Sequence, residues 1–258
     1  METYNEYNSE TLIHFCPINY SMIYGILNYG ILSKSIANLS EVPFSENFKG
    51  YNDEDYICLS RYYYVDPLDT ESYYNIAKDN QIGFIVEGVE YISNIEDVVI
   101  HRPDEVQVKH KIAPENIKGI ITSPTLLNKS LTDINVLNKK STNYNIIINT
   151  GKNLINFFEN KCNYKLSEEE QSDFKEAIYY LKCTIIALKQ TPYDKELKAD
   201  LKDAIQDVNT TLATISSTVI SKIIGIENPT VNDLLQYISN TYNIPVYIHN
   251  IPSKNNKR

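Results

Sequence analysis

His101–Thr122, HRPDEVQVKHKIAPENIKGIIT, is the stretch on which the reading of this chain turns. It opens as a polar loop through Pro103. It then alternates, with Val106 and Val108 on one side and Glu105 and Gln107 on the other, as a half-buried strand does. After Pro114 a second short apolar run, Ile117 to Ile121, follows almost at once. Glu105 therefore stands on the first residue of a strand just after a loop, where a cleft can use a carboxylate. The plain alternative is a solvated glutamate at a sheet edge.

Working outward, Thr11–Cys16 (TLIHFC) reads as an earlier strand, with Leu12, His14 and Cys16 on one face. Pro17 ends it, and a helix is expected from about Asn19 to Tyr29 with Gly30 as its left-handed C-terminal residue. A polar run to Asp55 is longer than compact domains usually carry, as a functional flap would be. Tyr56–Ser60 and Ile82–Glu87 are further strands, on either side of a tyrosine-dense region from Arg61 to Tyr74. Beyond residue 125 the pattern turns helical. Thr125–Asn138 reads as a helix or turns, Tyr144–Ile148 as a short strand and Gly151–Cys162 as a helix. Ser167 with Glu170 forms a capping box for a helix striped by Phe174, Ile178, Leu181, Ile185 and Leu188. A second long helix from about Lys195 to Ile224 carries a matching stripe, so the two are expected to form an antiparallel hairpin. Thr230 caps a last helix, and Ile244–Ile248 is a strand expected to rejoin the first sheet, because a lone strand is not stable.

The class is therefore α+β. We expect a strand-rich core over residues 1–125, a mainly helical region over 126–243 with the long hairpin at 167–224, and a terminal strand and tail over 244–258. The chain has 258 residues, 33 acidic against 24 basic, for a net charge of −9. That balance argues against a protein whose main task is gripping nucleic acid phosphates. Cys16, Cys58, Cys162 and Cys183 form no CxxC pair and read as reduced, mostly buried thiols in a cytosolic protein. The four histidines show no ligand spacing such as HExxH, so no metal site is expected. Thr150-Gly151-Lys152 lacks the upstream glycine of a phosphate loop. No signal-like opening segment and no long apolar run is visible, which leads us to expect a cytoplasmic protein without a membrane span.

Three stretches stand in a telling order: a strand-borne His14 before a helix and Gly-Ile-Leu-Ser, then Asp-Tyr-Ile-Cys-Leu-Ser ending at Ser60, then Asp-Glu-Val before Pro-Glu-Asn-Ile-Lys-Gly-Ile. Taken singly, His14 could be a satisfied core residue, and Ser60 and Arg61 a commonplace strand end. Together, LIHFCPINYSMIYGILNYGILSK and DEVQVKHKIAPENIKGII resemble the first and third motifs of the ADP-ribosyltransferase superfamily, in particular its histidine-containing branches. The resemblance covers residues 11 to about 122. It implies a split antiparallel sheet that binds NAD, with the helical hairpin appended. It further implies Glu105 as the catalytic acidic residue, His14 as a ribose ligand, and Ser60 in the second motif. Tyr56, Tyr62 and Tyr63 would be candidates to stack on nicotinamide, and Arg61 would lie near the pyrophosphate. The second motif is not a clean Ser-Thr-Ser, and Pro103 stands where arginine-modifying members carry Glu or Gln, so the acceptor stays open.

The resemblance implies a mono-ADP-ribosyltransferase, a bacterial toxin or effector with NAD as substrate and no metal. A protein acceptor is favoured over nucleic acid. If it is an effector, it reaches a host cell without a classical signal peptide. Two alternatives remain: a catalytically inactive relative that binds partners through the hairpin, and an RNA 2′-phosphotransferase-like activity.

Overall fold

In the computed structural model the described residues are 2–3, 12–33, 55–61, 81–90, 105–134, 136 and 144–248, with backbone alone described for residues 2, 3, 61, 105 and 146. They form a mixed α+β structure with a mostly antiparallel sheet. The strands are β1 (Glu2–Thr3), β2 (Leu12–Pro17), β3 (Ile31–Leu32), β4 (Tyr56–Arg61), β5 (Gln81–Val86), β6 (Glu105–Lys109), β7 (Lys111–Ile112), β8 (Ile117–Thr122) and β9 (Val246–Ile248). The helices are α1 (Tyr20–Tyr29), α2 (Pro124–Leu127), α3 (Tyr144–Lys161), α4 (Glu168–Gln190), α5 (Lys195–Ile224) and α6 (Val231–Tyr242). Contacts divide the chain into two compact units, the second holding residues 130–229.

The first unit is built on a seven-stranded sheet in the order β1-β9-β8-β5-β2-β4-β6. Both pairings of β9 are parallel and all others are antiparallel. The alternation read around Glu105 holds, since Val106 and Val108 are buried. The same side of the neighbouring strands supplies Leu12, Cys16, Ile57, Leu59, Ile82, Phe84 and Ile120, all buried, so this face is a continuous apolar layer. On the other face Ile13, Ile85 and Ile121 pack together, with Phe15 and Tyr247 against them.

His110 separates β6 from β7. At φ 65° it turns the chain, its N–H donating to the Asp55 carbonyl (2.7 Å) while its own carbonyl accepts from Ser33 N–H (2.8 Å). The result is a second, two-stranded sheet of β3 and β7 that the local pattern did not announce, because each strand has only two residues. Asn116 then ties the Pro114–Asn116 turn to the end of β5, its Nδ2 donating to the carbonyls of Glu87 (3.0 Å) and Gly88 (3.1 Å).

The chain leaves the first unit after Lys129 and returns at Thr230, where Val231 N–H donates to the Lys129 carbonyl (3.0 Å). This corrects the expected division at 125 and 243. The α6 helix belongs with the sheet, because its buried stripe of Val231, Leu234, Leu235 and Ile238 packs toward α2 and β9. The closing strand rejoins the sheet as expected, seated in parallel between β8 and β1.

The second unit is helical. Tyr144–Ile148 is not a strand but the first turns of α3. Ile147, Leu154 and Phe158 are buried at spacings of seven and four, so the stripe that looked like a β-branched strand is one helical face. Gly151 sits inside it, where an added Cβ would lie 3.1 Å from the Phe174 ring and 3.3 Å from Leu212. The hairpin of α4 and α5 forms as read. Ser167 Oγ accepts from Glu170 N–H (3.1 Å) and Glu170 Oε2 accepts from Ser167 N–H (2.8 Å), closing the capping box.

Asp194 opens the 30-residue α5, its Oδ1 accepting from the N–H groups of Glu196 (2.8 Å) and Leu197 (3.1 Å). Asp194→Ala leaves both donors without that cap and is expected to cost about 1 kcal/mol, read as a lower midpoint at unchanged slope in urea unfolding.

Candidate functional site

Three strands position the candidate residues: β2, β4 and β6. Ser60 pairs with Ile13 of β2 on one side and with Glu105 of β6 on the other, so the three backbone positions form one row across the sheet. The ladder between β2 and β4 holds for only two rungs, Leu12↔Arg61 and Ile13↔Ser60. Beyond that row β2 continues along β5 as far as Pro17↔Gln81, while β4 continues along β6 to Tyr56↔Lys109. The two central strands therefore part.

His14 sits at the point of parting. A continued ladder would set Phe15 opposite Cys58. Instead, the Nδ1 of His14 lies 3.4 Å from the Cys58 carbonyl, at the long end of hydrogen-bond distances. A carbonyl only accepts, so this contact selects the tautomer protonated on Nδ1 and makes Nε2 the acceptor nitrogen. Burial pushes the His14 pKa down to about 4, with the bond to Cys58 opposing the shift. The imidazole is therefore neutral at pH 7.

The pH dependence follows in sign. Between pH 6.5 and 4 the unfolded chain holds the His14 proton and the folded chain does not, so stability rises with pH across that window. Acidification from pH 7 is therefore expected to lower stability through this one group. His14→Gln should flatten the corresponding part of a urea-midpoint profile against pH, and an unchanged profile would contradict the assignment.

Cys16 shares the His14 side of β2. It is fully buried, with burial pushing its thiol up to about 12, which makes it inert as a nucleophile beside His14. The expectation of mostly buried thiols fails elsewhere: all four cysteines are free, but Cys58 and Cys183 are exposed.

The structure sets the backbone positions of His14, Ser60 and Glu105 on neighbouring strands but does not put them on one face: Ser60, half-buried, and the Glu105 position share the Ile13 side of the sheet, whereas His14 is on the side of Leu12 and Cys16. Glu105 is the first residue of β6, as read, with its backbone alone described. Tyr56 lies at the other end of β4, opposite Lys109, about 13 Å along the strand from Ser60 at ~3.3 Å per residue. Arg61 is described only as the backbone partner of Leu12. Tyr62, Tyr63 and the expected flap up to residue 54 lie outside the described residues.

Two groups in this neighbourhood escaped the sequence reading. The Cys58 carbonyl anchors His14, and Gln107, opposite Cys58, is a polar side chain buried to 8% exposure. The period of two could have found them, since they stand two residues from Ser60 and Glu105.

Among the described residues no group of three or more His, Cys, Asp or Glu side chains is placed to hold a metal ion, and no helix is long and apolar enough to cross a membrane. The chain matches no protein-family model, no curated protein and no solved structure.

Proposed function

We propose that this protein is an NAD-dependent mono-ADP-ribosyltransferase that modifies a macromolecular acceptor inside a cell, as a bacterial toxin or effector does. The observation that supports it is the row Ile13–Ser60–Glu105 beside a parting of β2 and β4, with a neutral His14 at the gap, one residue along β2 and on the opposite face of the sheet. Breaking the nicotinamide–ribose bond sends the electron pair to the nicotinamide nitrogen and leaves oxocarbenium character on the sugar. A carboxylate on a strand end, as Glu105 is in this reading, stabilises that charge where it develops. Nε2 of His14 accepts from a ribose hydroxyl. The acceptor then bonds to the anomeric carbon and gives up its proton.

The test is nicotinamide release from NAD by wild type, His14→Ala and Glu105→Ala, with and without cell lysate. Release that requires Glu105 supports the chemistry, and dependence on lysate shows that it contains an acceptor. No release in any condition, with no NAD binding, defeats the reading.

A second reading, a binding module acting through the helical hairpin, is favoured by a separate observation. The outer side of α4 exposes Tyr179, Tyr180 and Ile186 to solvent.

A further inference from the structure

Pro103 leaves the acceptor of the proposed reaction open, and the chain itself carries a nucleophile beside the candidate carboxylate. Of its four cysteines Cys58 and Cys183 are exposed, and of these two Cys58 lies on the sheet. It stands two residues from Ser60 on β4, so it shares the side of Ser60 and the Glu105 position. Glu105 is its diagonal neighbour, about 7–8 Å away across the pair of strands. Cys16 is enclosed on the opposite face. Ser60 is nearer to Glu105, but a hydroxyl is a much weaker nucleophile than a thiol near neutral pH.

Directly opposite Cys58 stands Gln107. The Cys58 carbonyl is turned toward β2, where His14 meets it. Cys58 and Gln107 are therefore a pair without backbone hydrogen bonds between them, the kind whose side chains stand closest. Gln107 is 8% exposed, although Cys58 opposite it and Lys109 two residues on are both exposed. Its carboxamide makes no hydrogen bond among the described residues. Unlike the enclosed Thr122 Oγ1, its polar end is not sealed off. A largely buried side chain that holds an unused amide beside an exposed thiol is a seat for a ligand rich in hydroxyl groups.

We propose that Cys58 is an acceptor within the chain: its sulfur takes the ADP-ribosyl group of NAD while Gln107 hydrogen-bonds the nicotinamide ribose. This rests on the NAD reading above. The bond from sulfur to the anomeric carbon forms as the bond from that carbon to the nicotinamide nitrogen breaks. The electron pair leaves with nicotinamide, and the thiol proton goes to water.

The test incubates the full-length chain with NAD and no lysate, then digests it for mass spectrometry. The expected result is an ADP-ribosyl group on Cys58, removed by mercuric ion, with nicotinamide released in equal amount. Cys58→Ser should abolish the label, whereas Cys183→Ser should carry it at the wild-type level. Gln107→Leu should raise the NAD concentration for half-maximal labelling about tenfold, as loss of one hydrogen bond does. Melting of each variant checks that the sheet is intact. Nicotinamide release without a label on Cys58, or a label that forms equally from free ADP-ribose, overturns the proposal and leaves the NAD reading standing. An unchanged NAD requirement in Gln107→Leu overturns it as well. No release and no NAD binding by the wild type overturns both.

Discussion

Glu105→Gln is expected to lower nicotinamide release by roughly 10²–10³-fold while leaving the melting temperature within a degree or two of wild type. The substitution keeps the size and hydrogen-bonding reach of the side chain and removes only its charge. A structural role at a strand end would tolerate that change, whereas stabilisation of a developing oxocarbenium would not. The backbone of Glu105 is placed by pairing with Ser60, which is itself paired to Ile13, so Glu105 is the third member of a row across three strands. His14→Asn is the companion variant. It removes the Nε2 acceptor and should weaken NAD binding more than it slows turnover of bound NAD. The two variants thus separate a charge acting in the transition state from a group acting in the ground state. Equal activity of wild type and Glu105→Gln would remove the basis for the catalytic reading.

Gly30→Ala should produce the largest loss of stability from a single methyl group in this protein. Gly30 has φ 88° and ψ 180°, a region open essentially to glycine alone, and an added Cβ would overlap the Ile112 carbonyl. That carbonyl belongs to β7, whose pairing with β3 follows directly after Gly30. Relief of the clash therefore has to open the small sheet or lift the end of α1, where Gly30 N–H bonds to the Ile26 carbonyl (2.9 Å). The expected cost is about 3 kcal/mol or more, a fall in melting temperature of roughly 6–12 °C for a chain of this size. Gly225→Ala is the internal control. Gly225 also has positive φ, 74°, but sits in the left-handed helical region with nothing within 4 Å of an added Cβ. Only the backbone preference remains there, worth about 1 kcal/mol. Similar effects of the two substitutions would show that the contact with Ile112 does not matter.

Gly30 also illustrates how far local sequence reaches. Its position after a helix was legible, and so was its need for positive φ. The left-handed cap expected of it was not adopted, since the chain had to turn at once into β3, a strand whose partner β7 lies eighty residues away.

What the sequence by itself determined is everything that depends on neighbours within a turn or two. The alternation around Val106 and Val108, the capping box of Ser167 and Glu170 and the paired stripes of α4 and α5 all belong here. Each rests on side-chain period and on backbone groups left unpaired at helix ends, both set within a few residues. Tertiary structure decided the rest. Tyr144–Ile148 has β-branched residues and reads as a strand, yet it is helical because Leu154 and Phe158 continue the stripe of Ile147 into a helical face. That α6 leaves the hairpin for the sheet, and that β9 enters between β8 and β1, depend on partners more than a hundred residues distant. The candidate site divides the same way. The motif order placed His14, Ser60 and Glu105 on three strands, but not the parting of β2 from β4 or the neutral His14 held by the Cys58 carbonyl. Strand register and desolvation are properties of what surrounds a residue, and for His14 those surroundings come from segments forty to seventy residues away.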